Sequence, residues 1–384
     1  MGAPAMRVEE GKEVKAAMLV GGFGTRLRPL TVTTPKPMLP LVNIPFLEIE
    51  LLHLKQYGVD EVILSTGYLP AVFDEYFGDG SRLGIKLVHV TEDEPLGTCG
   101  AIKNVAEFLG SEPVIVCNGD ILTDLDIAAL VSYHNEKEAS VTITLTPVED
   151  PTAYGLVPLD ENGHIKEFLE KPSWDQVVTN LINAGTYVMD PAVLDDVPPG
   201  ENYSFERQLF PDLLKEGRPM FGFPCDCYWL DLGTPEKYLA AHHDILSGEI
   251  QVDMKGERRA DDIIVGEGAS VDATAHLHGP VLMGEGVTIG AHARVLPNTC
   301  LGSGVTVGTE ARVEGSVVLD GTTIGDRSTV EQSILGRDTV LGSDCHVADC
   351  SVLGDNIVSG AENEFRKGIR VWPSTNIEDG RIKF

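Results

Sequence analysis

Residues 15–40 read KAAMLVGGFGTRLRPLTVTTPKPMLP, a short apolar run that leads directly into a glycine-rich turn. The apolar run has the length of a buried strand. Because glycine lets the backbone approach a ligand and present successive N–H groups, we expect the turn to cradle a phosphate. Arg26 and Lys36 flank it as cations. It is neither a P-loop nor a dinucleotide fingerprint, since no Gly-Lys-Ser/Thr follows and Leu27 replaces the third glycine.

Strand-like and helical patterns alternate downstream of this turn, as far as about residue 246. Apolar runs at 61–65, 86–90 and 114–117 are interspersed with helical patterns near 46–57 and 100–109. This succession predicts an α/β fold with a Rossmann-like, mostly parallel sheet that helices cover on both faces. Ligands of such sheets bind at the carboxyl ends of the strands.

The sequence beyond residue 262 repeats every six residues. Aliphatic residues or methionine recur at this unbroken spacing at Val265, Val271, Leu277, Met283, Ile289, Val295, Leu301, Val307, Val313 and Leu319. Four residues after each of these positions stands a small or β-branched residue, from Ala269 to Thr323. We therefore predict that the aliphatic positions and the small positions both face the interior of the β-helix. After a one-residue slip the pattern resumes at Ile324 and, after a second slip, runs on to Leu353. One hexad per side predicts a three-sided parallel β-helix.

The patterns divide the chain into four parts. We predict a flexible N-terminal extension over 1–14, a ligand-binding domain over 15–248, a linker over 249–262 and the β-helix with its C-terminal tail over 263–384. The β-helix is expected to make the protein a homo-oligomer. The alternative is a second active site, because hexapeptide solenoids also form acyltransferases that use a histidine between subunits. Four histidines are available for this, and their spacing favours none: His276, His278, His292 and His346.

Charge and composition exclude several classes of protein. The chain has 59 acidic and 29 basic residues, a net charge of −30, and such a surface repels nucleic acid. No apolar run is long enough to cross a bilayer and the start lacks a secretory pattern, so we expect no membrane partner and a cytoplasmic location. Seven cysteines without a Cys-x-x-Cys pair predict reduced, unliganded thiols.

The glycine-rich turn and its Pro35-Lys36-Pro37 continuation resemble the signature of the sugar-1-phosphate nucleotidylyltransferases. The resemblance extends to the end of the chain and is closest to mannose-1-phosphate guanylyltransferases with a hexapeptide-repeat tail, which implies a left-handed β-helix. It implies transfer of a nucleoside monophosphate from an NTP to a sugar 1-phosphate with release of pyrophosphate. The segments 94–98, 183–187 and 204–211 favour GTP and mannose 1-phosphate as substrates and GDP-mannose as product.

The resemblance also implies roles for individual residues. Arg26 and Lys36 are implied to hold the triphosphate, and Lys171 the sugar phosphate, as the catalytic cations. Asp120 and Asp231 are implied to bind Mg²⁺. The implied nucleotide-binding residues are Leu19, Gly21, Gly22, Gly24, Thr25, Glu94, Pro95, Gly97, Thr98, Asn118 and Gly119. The implied sugar-phosphate pocket consists of Tyr154, Gly155, Glu170, Lys171 and Asn183.

These assignments agree with the chemistry of the residues. Asp120 and Asp231 both follow apolar runs, where a carboxylate is costly to bury unless a cation binds it. Lys171 precedes a proline, so Glu170 and Lys171 are expected to be extended. A sugar 1-phosphate is already an anionic nucleophile, so catalysis requires alignment and charge neutralisation and no general base.

Two other functions stay open at this point. Glucose 1-phosphate with UTP or dTTP is an alternative substrate pair, because few pocket contacts separate these activities. A non-catalytic regulatory subunit that senses a sugar nucleotide is the other alternative. Such a subunit is expected to have lost charged site residues, whereas this chain keeps Arg26, Lys36, Asp120, Lys171 and Asp231.

Overall fold

The computed structural model describes residues 14–383, which form two compact units. The first unit contains the chain up to Gly22 and Leu47–Trp229, and the second contains Phe23–Phe46 and the chain from Leu230 onward. The predicted N-terminal extension lies outside the described residues except for Val14. Within the described part of the chain, no helix is long and apolar enough to cross a membrane.

Thirteen strands and seven helices precede the β-helix. The strands are β1 (Lys15–Leu19), β2 (Pro40–Leu41), β3 (Ile44–Pro45), β4 (Glu61–Thr66), β5 (Lys86–Thr91), β6 (Val114–Asn118), β7 (Ile121–Thr123), β8 (Val141–Pro147), β9 (Gly155–Leu156), β10 (Leu169–Glu170), β11 (Leu181–Met189), β12 (Met220–Pro224) and β13 (Trp229–Asp231). The helices are α1 (Phe46–Gln56), α2 (Pro70–Phe77), α3 (Gly97–Asn104), α4 (Ala106–Leu109), α5 (Ile127–Glu136), α6 (Phe210–Lys215) and α7 (Pro235–Ser247).

The first unit is built around one twisted sheet with the order β10-β9-β11-β6-β1-β4-β5, and β8 joins β11 to β12. The strands β6, β1, β4 and β5 are parallel, as predicted, so their carboxyl ends lie at one edge. The predicted fold class is confirmed. β11 is antiparallel to β6 and β8, which the alternation of strands and helices did not indicate. Ala17, Ile63, Val116 and Tyr187 are fully buried in its core.

The second unit contains the β-helix, whose strands from β15 onward form three parallel sheets around one apolar core, with β14 added antiparallel to β15 at the start of one sheet. This arrangement is consistent with the left-handed β-helix that the resemblance implies. The strands are β14 (Glu257–Arg258), β15 (Ile263–Val265), β16 (Ser270–Val271), β17 (His276–Leu277), β18 (Val281–Met283), β19 (Thr288–Ile289), β20 (Arg294–Val295), β21 (Thr299–Leu301), β22 (Thr306–Val307), β23 (Arg312–Glu314), β24 (Val317–Val318), β25 (Thr323–Ile324), β26 (Thr329–Glu331), β27 (Ile334–Leu335), β28 (Val340–Leu341), β29 (His346–Val347), β30 (Val352–Leu353), β31 (Val358–Ser359), β32 (Glu364–Phe365), β33 (Arg370–Val371) and β34 (Asn376–Ile377).

The slip in the hexad pattern occurs earlier than the spacing predicts. Leu301 pairs with Val318, so the core column passes from Val313 to Val318. The prediction that Val317, Leu319 and Thr323 occupy the interior columns is therefore wrong: the interior apolar position belongs to Val318, and Val317 is the register partner of the outward Cys300. The corner after Val313 is one residue shorter than the corner after Val295, and Gly315 turns it with φ of 55°. Leu319 is itself aliphatic, so spacing alone pointed to it.

One face of the β-helix is apolar on its outside as well as its inside. In the sheet that runs from β14 to β33, the outward side chains of the strands from β15 to β30 are at most 3% exposed, at Ile264, Leu282, Cys300, Val317, Ile334 and Val352. Asn43 donates to the carbonyl of Leu301 at 2.8 Å and accepts from the thiol of Cys300 at 3.3 Å. The segment that leads out of the glycine-rich turn is thus attached to this face.

Cys225 and Cys227 form a disulfide directly after β12. The prediction that every cysteine is a reduced thiol is therefore wrong for this pair. Side chains two residues apart lie on the same side of an extended chain, which brings the two sulfurs together. The remaining cysteines, all within the described residues, are free thiols, and Cys350 alone among them is not fully buried.

Candidate active site

The glycine-rich turn continues into the second unit as a tight 3-10 turn over Thr25–Leu27. Gly24 precedes it with φ of 56°, a left-handed conformation that favours glycine. A Cβ on Gly24 would lie 3.0 Å from both Lys36 and Thr31, so the chain also packs closely here. The Gly24 carbonyl accepts hydrogen bonds from Leu27 N at 3.0 Å and from Thr31 Oγ1 at 2.8 Å. These contacts fix the turn from which the Arg26 side chain projects.

Asp231 is surrounded by cationic side chains within the second unit. Lys36 Nζ lies 3.5 Å from its Oδ1, and Arg26 Nη2 lies 3.9 Å from its Oδ2. Gly233 permits this approach, since a Cβ there would come within 2.8 Å of Arg26 Nη2. The structure therefore brings together three of the predicted site residues.

Lys237 is a further cation at this cluster, and the sequence did not identify it. Its Nζ lies 3.4 Å from Oδ2 of Asp231. It stands in the first turn of α7, where the Thr234 hydroxyl accepts from its backbone N–H at 3.4 Å and Pro235 occupies the first helical position. That helix-start pattern places the lysine six residues beyond Asp231, and it is the feature of the sequence from which Lys237 could have been predicted. Three cations and one carboxylate give a net charge of about +2, which suits a phosphate chain.

The first unit places Leu19, Asn118 and Gly119 of the predicted nucleotide-binding residues at the carboxyl edge of its sheet, whereas Gly24 and Thr25 belong to the second unit. Leu19 and Asn118 are register partners at the ends of β1 and β6, and Gly119 N donates to the Leu19 carbonyl at 3.0 Å. A Cβ on Gly21 would lie 3.5 Å from Oε1 of Glu92. Glu92 was not predicted, yet its position after β5 places it at this edge.

Glu92 also holds the segment that contains Glu94, Pro95, Gly97 and Thr98. Its Oε1 accepts from the Ser65 hydroxyl at 2.9 Å, and its Oε2 accepts from Leu96 N at 3.1 Å. Glu94 and Pro95 are exposed, whereas Gly97 and Thr98 begin α3. The Glu92 carboxylate thereby joins the ends of β4 and β5 to the segment predicted to contact the base.

Asp120 follows Gly119 and has a second carboxylate close to it. Glu50, on α1, is 6% exposed, and burial together with the charge of Asp120 raises its pKa well above the ordinary range. Its Oε1 is buried without a hydrogen-bond partner among the described residues. The raised pKa reflects chiefly the burial of Glu50 and, after it, the negative charge of Asp120.

Asn183 belongs to a polar network centred on Glu206. Its Nδ2 donates to the hydroxyl of Tyr187 at 2.9 Å, and that hydroxyl donates to Oε1 of Glu206 at 3.2 Å. The other carboxylate oxygen accepts from Ser204 Oγ at 2.9 Å and lies 3.5 Å from Thr98 Oγ1. Burial and the Glu206 carboxylate raise the pKa of Tyr187 well above its ordinary value, so the phenol stays protonated and donates.

Glu206 is a functional candidate that the sequence reasoning did not select. It lies in a short π-helix over Phe205–Leu209, and its carboxylate links residues predicted for nucleotide and for sugar phosphate. In the sequence alone, a single glutamate within the segment 204–211 cannot be told apart from a solvated surface charge. Only the fold, which brings Asn183 and Tyr187 of β11 close to Glu206, separates this residue from an ordinary surface charge.

The other predicted sugar-phosphate residues meet in one small hairpin of the first unit. β9 and β10 pair with Gly155 opposite Glu170, and Lys171 N donates to the carbonyl of Tyr154 at 3.0 Å. Trp229 connects this hairpin to the bulge that follows Asn183. Its ring packs edge-on against Tyr154 at 5.5 Å, and its Nε1 donates to the carbonyl of Ala184 at 2.9 Å.

The backbone of Lys171 differs from the prediction. Glu170 is extended within β10, but Lys171 has φ of 48°, so the expectation that both residues are extended is wrong for the lysine. The hydrogen bond from Lys171 N to Tyr154 closes the hairpin at this point, and the chain turns sharply before Pro172. Tertiary pairing here overrides the local preference that proline imposes.

The donors available for a metal are the two predicted aspartates. Within residues 14–383 there is no group of three or more His, Cys, Asp or Glu side chains that could hold an ion. Mg²⁺ is commonly held in proteins by one or two carboxylates together with substrate phosphates. Asp120 and Asp231 supply oxygen ligands of that type, so the residues present fit Mg²⁺.

Comparison with known proteins places these residues in context. Residues 15–248 match the nucleotidyl transferase family, and residues 277–382 match the GMPPB C-terminal domain. The mannose-1-phosphate guanylyltransferase of Mycobacterium tuberculosis is 44% identical over 268 residues, 70% of this chain and 74% of that protein. The UTP–glucose-1-phosphate uridylyltransferase of Synechocystis is 36% identical over 251 residues, 62% of this chain and 65% of that protein.

A solved structure resembles the chain as well. The crystal structure of HddC from Yersinia pseudotuberculosis, complexed with GMP-PN, superposes with a TM-score of 0.52 at 31% identity. The superposition covers 59% of this chain and 97% of HddC. The similarity shown by this structure is therefore confined to part of the chain.

Proposed function

The chain belongs to the nucleotidyl transferase family, and from that premise we propose that it transfers GMP from GTP to mannose 1-phosphate, forming GDP-mannose and pyrophosphate. The observation that carries the proposal is the cluster of Arg26, Lys36 and Lys237 around Asp231, in a chain 44% identical to a mannose-1-phosphate guanylyltransferase. In a protein with a net charge of −30, such a local excess of cations suits a polyphosphate.

The proposed reaction is one in-line substitution at phosphorus. A phosphate oxygen of the sugar 1-phosphate attacks the α-phosphorus of the NTP. The bond from that phosphorus to the bridging oxygen breaks, and pyrophosphate leaves with the electron pair. No proton has to be removed from the nucleophile, so the protein contributes by positioning and by neutralising charge.

The chain's own cations divide this work. We assign Arg26, Lys36 and Lys237 to the triphosphate, where they neutralise the departing pyrophosphate. Lys171, held in the hairpin with Tyr154 and Glu170, is assigned to the phosphate of the incoming sugar. Asn183 and Glu206 are assigned to the sugar hydroxyls, because amide and carboxylate groups together donate and accept hydrogen bonds.

A divalent metal belongs to this proposal as well. The resemblance implies Asp120 and Asp231 as its carboxylate ligands, and each supplies oxygen donors of the type that Mg²⁺ takes. When bound, Mg²⁺ neutralises phosphate oxygens and orients them for attack. The buried Glu50 near Asp120 supports a cation in this region, since its Oε1 has no hydrogen-bond partner among the described residues.

The test is a pyrophosphate-release assay with Mg²⁺. Mannose 1-phosphate and glucose 1-phosphate are each combined with GTP, UTP, dTTP and ATP, and kcat/KM is compared across the panel. We expect the highest value for GTP with mannose 1-phosphate. A higher value for glucose 1-phosphate with UTP or dTTP overturns the substrate pair, and the Synechocystis relative makes this the main competing outcome.

The assay needs a control for contaminating enzymes. The Arg26→Ala variant, purified identically, is expected to lose at least about 10²-fold in kcat, in line with removing one preorganised charge. Equal activity in both preparations would assign the signal to a contaminant. Absence of product with every pair, in a preparation that binds GTP, would favour a sugar-nucleotide sensor and reject the catalytic proposal.

A further inference from the structure

The turn that carries Arg26 is bonded to the β-helix within the second unit. Arg370, on β33, donates from Nη1 to the carbonyl of Arg26 at 2.9 Å and to the carbonyl of Arg28 at 3.2 Å. The two acceptors lie on either side of Leu27, which is 1% exposed. One guanidinium from the β-helix therefore fixes two peptide groups of the predicted phosphate loop.

A second set of contacts holds the other end of the same segment. Thr33 Oγ1 donates to Oδ2 of Asp355 at 2.6 Å, and Arg337 Nη1 donates to Oγ1 of Thr34 at 2.9 Å. Asp355 and Arg337 are themselves joined, because Arg337 N donates to Oδ1 of Asp355 at 2.8 Å. These contacts lie immediately before Pro35 and Lys36, so both phosphate-loop cations stand beside an attachment to the β-helix.

The attachment by Arg370 meets a need of the turn. The carbonyls of Gly24 and Thr25 accept from Leu27 N and Arg28 N inside the turn, which leaves the Arg26 and Arg28 carbonyls to be satisfied elsewhere. The Arg26 side chain is 66% exposed, and its ion pair with Asp231 spans 3.9 Å, a separation at which the pair does little to fix its orientation. Its direction therefore depends on how firmly its backbone is held.

Arg370 also adds positive charge to the loop. Its guanidinium lies within hydrogen-bond distance of two backbone carbonyl oxygens of the turn that carries Arg26. A donor that is charged strengthens such bonds relative to neutral ones. Arg370 thus holds the turn and raises the potential at the site for a triphosphate, without any requirement to touch the ligand.

We propose that Arg370 is a positioning residue for the nucleoside triphosphate, so that the β-helix contributes directly to the active site through the turn that carries Arg26. The proposal rests on the proposed function, since it concerns the same triphosphate. It goes beyond the expected role of the β-helix as an oligomerisation platform. It predicts that a substitution of Arg370 weakens the binding of the nucleoside triphosphate and leaves the binding of the sugar 1-phosphate unchanged.

The experiment compares Arg370→Ala and Arg370→Lys with Arg327→Ala as the matched control. Arg327 is another exposed β-helix arginine, and it pairs with Asp344 through two contacts of 2.6 and 2.8 Å on the solenoid surface. For each variant, kcat and both KM values are measured with the best substrate pair. The dissociation constant of the Mg²⁺ complex of GTP is measured by calorimetry.

We expect Arg370→Ala to raise the KM and the dissociation constant for GTP about 10-fold or more, the loss typical of a charged hydrogen-bond donor. The KM for the sugar 1-phosphate should stay within about twofold. Arg370→Lys should recover part of the GTP affinity, because an ammonium can reach one of the two carbonyls. Arg327→Ala should leave all constants unchanged.

Two results would overturn the proposal. One is a GTP dissociation constant for Arg370→Ala that equals the wild-type value. The other is an equal rise in both KM values with no recovery in Arg370→Lys, which a general loss of structure would produce. If Arg370→Ala does not fold, Arg370→Lys is compared with the wild type in its place, by the dissociation constant for GTP and by the two KM values.

The binding measurement separates this proposal from the proposed function. If the wild-type protein binds GTP but forms no product, the catalytic proposal fails while the comparison of dissociation constants still decides the role of Arg370. If Arg370→Ala binds GTP normally in an enzyme that turns over GTP and mannose 1-phosphate, the role of Arg370 fails alone.

Discussion

Lys36 Nζ lies 3.5 Å from Oδ1 of Asp231, and the two side chains are only 8% and 16% exposed. A lysine that is this well covered keeps its charge at a cost unless a carboxylate or a phosphate stands beside it. The pair therefore keeps a cation in place at the predicted triphosphate site before any ligand arrives.

Replacement of Lys36 by methionine removes the charge and retains most of the side-chain length. We expect kcat to fall by at least about 10²-fold, the loss typical of removing one preorganised charge from a phosphoryl-transfer site. The measurement is the steady-state rate of pyrophosphate release at saturating substrates. Lys215→Met is the control, because Lys215 is 75% exposed and pairs with Asp212 on the surface. Equal rates for the two variants would contradict the assignment of Lys36.

Asp120→Asn keeps the shape of the side chain and removes its charge. If Asp120 binds Mg²⁺, kcat should fall by at least about 10²-fold and the Mg²⁺ concentration for half-maximal rate should rise. A titration of the rate against MgCl₂ measures both effects. Asp60→Asn serves as the control, since Asp60 is a surface carboxylate that is 75% exposed. Near-normal turnover by Asp120→Asn would rule out the metal assignment.

Glu206→Gln tests the polar network of the first unit. The substitution replaces one acceptor oxygen by a donor that faces the hydroxyl of Tyr187 or Ser204. We expect the KM for the sugar 1-phosphate to rise about 10-fold or more, because buried donors lose their acceptor. Steady-state kinetics with each substrate varied in turn provide the measurement.

Two further variants accompany Glu206→Gln, one with a smaller expected effect and one as a control. Tyr187→Phe removes one hydroxyl from the network and should raise that KM by less than Glu206→Gln does. Glu216→Gln, at an exposed position after α6, should leave the KM unchanged. A Glu206→Gln enzyme that binds the sugar 1-phosphate normally would restrict Glu206 to a structural role.

His242 on α7 predicts a pH dependence of stability. Burial, and then the neighbouring His243, lower its pKa to about 3 from an ordinary value near 6.5. The unfolded chain therefore binds a proton below pH 6.5 that the folded protein does not bind. The free energy of unfolding should fall by about 1.4 kcal/mol for each pH unit below 6.5, as far as about pH 3.

Thermal unfolding at a series of pH values checks this dependence. His242→Asn keeps an acceptor for the backbone N–H of Val42, which the imidazole Nδ1 accepts at 3.3 Å, and removes the titrating group. Its stability should vary less with pH between 6.5 and 5 than that of the wild type. His276→Asn, at an exposed position of the β-helix, is the control. Identical pH dependence in His242→Asn and the wild type would exclude His242 as the source.

The sequence predicted the parts of the fold that depend on local periodicity. The buried runs at β1, β4, β5 and β6 each carry enough apolar residues to identify a strand, and the hexads identify the β-helix because every coil repeats the same constraint. The slip at Val318 could not be placed, because both Val318 and Leu319 satisfy an aliphatic pattern. Backbone pairing between coils decides between them.

The site was predicted unevenly for a related reason. Asn118 and Asp120 were proposed from the family resemblance, and the structure places Asn118 at the end of β6 with Asp120 two residues beyond it. Lys237 lies six residues from Asp231 at a helix start that the sequence could have indicated, whereas the proximity of Glu206 to Asn183 arises from tertiary packing. The left-handed Lys171 was missed because a backbone pairing with Tyr154 outweighs the effect of Pro172.

The apolar outer face of the β-helix has a consequence for protein engineering. Leu282, Ile334 and Val352 on this face are at most 2% exposed, and Asn43 is bonded to its backbone. A chimera that joined these repeats to the remainder of a related protein would pair this face with a foreign surface. Arg370 would then lose its hydrogen bonds to the carbonyls of Arg26 and Arg28. Exchange of solenoids between relatives should therefore transfer Phe23–Phe46 and α7 together with the repeats, as one inherited block.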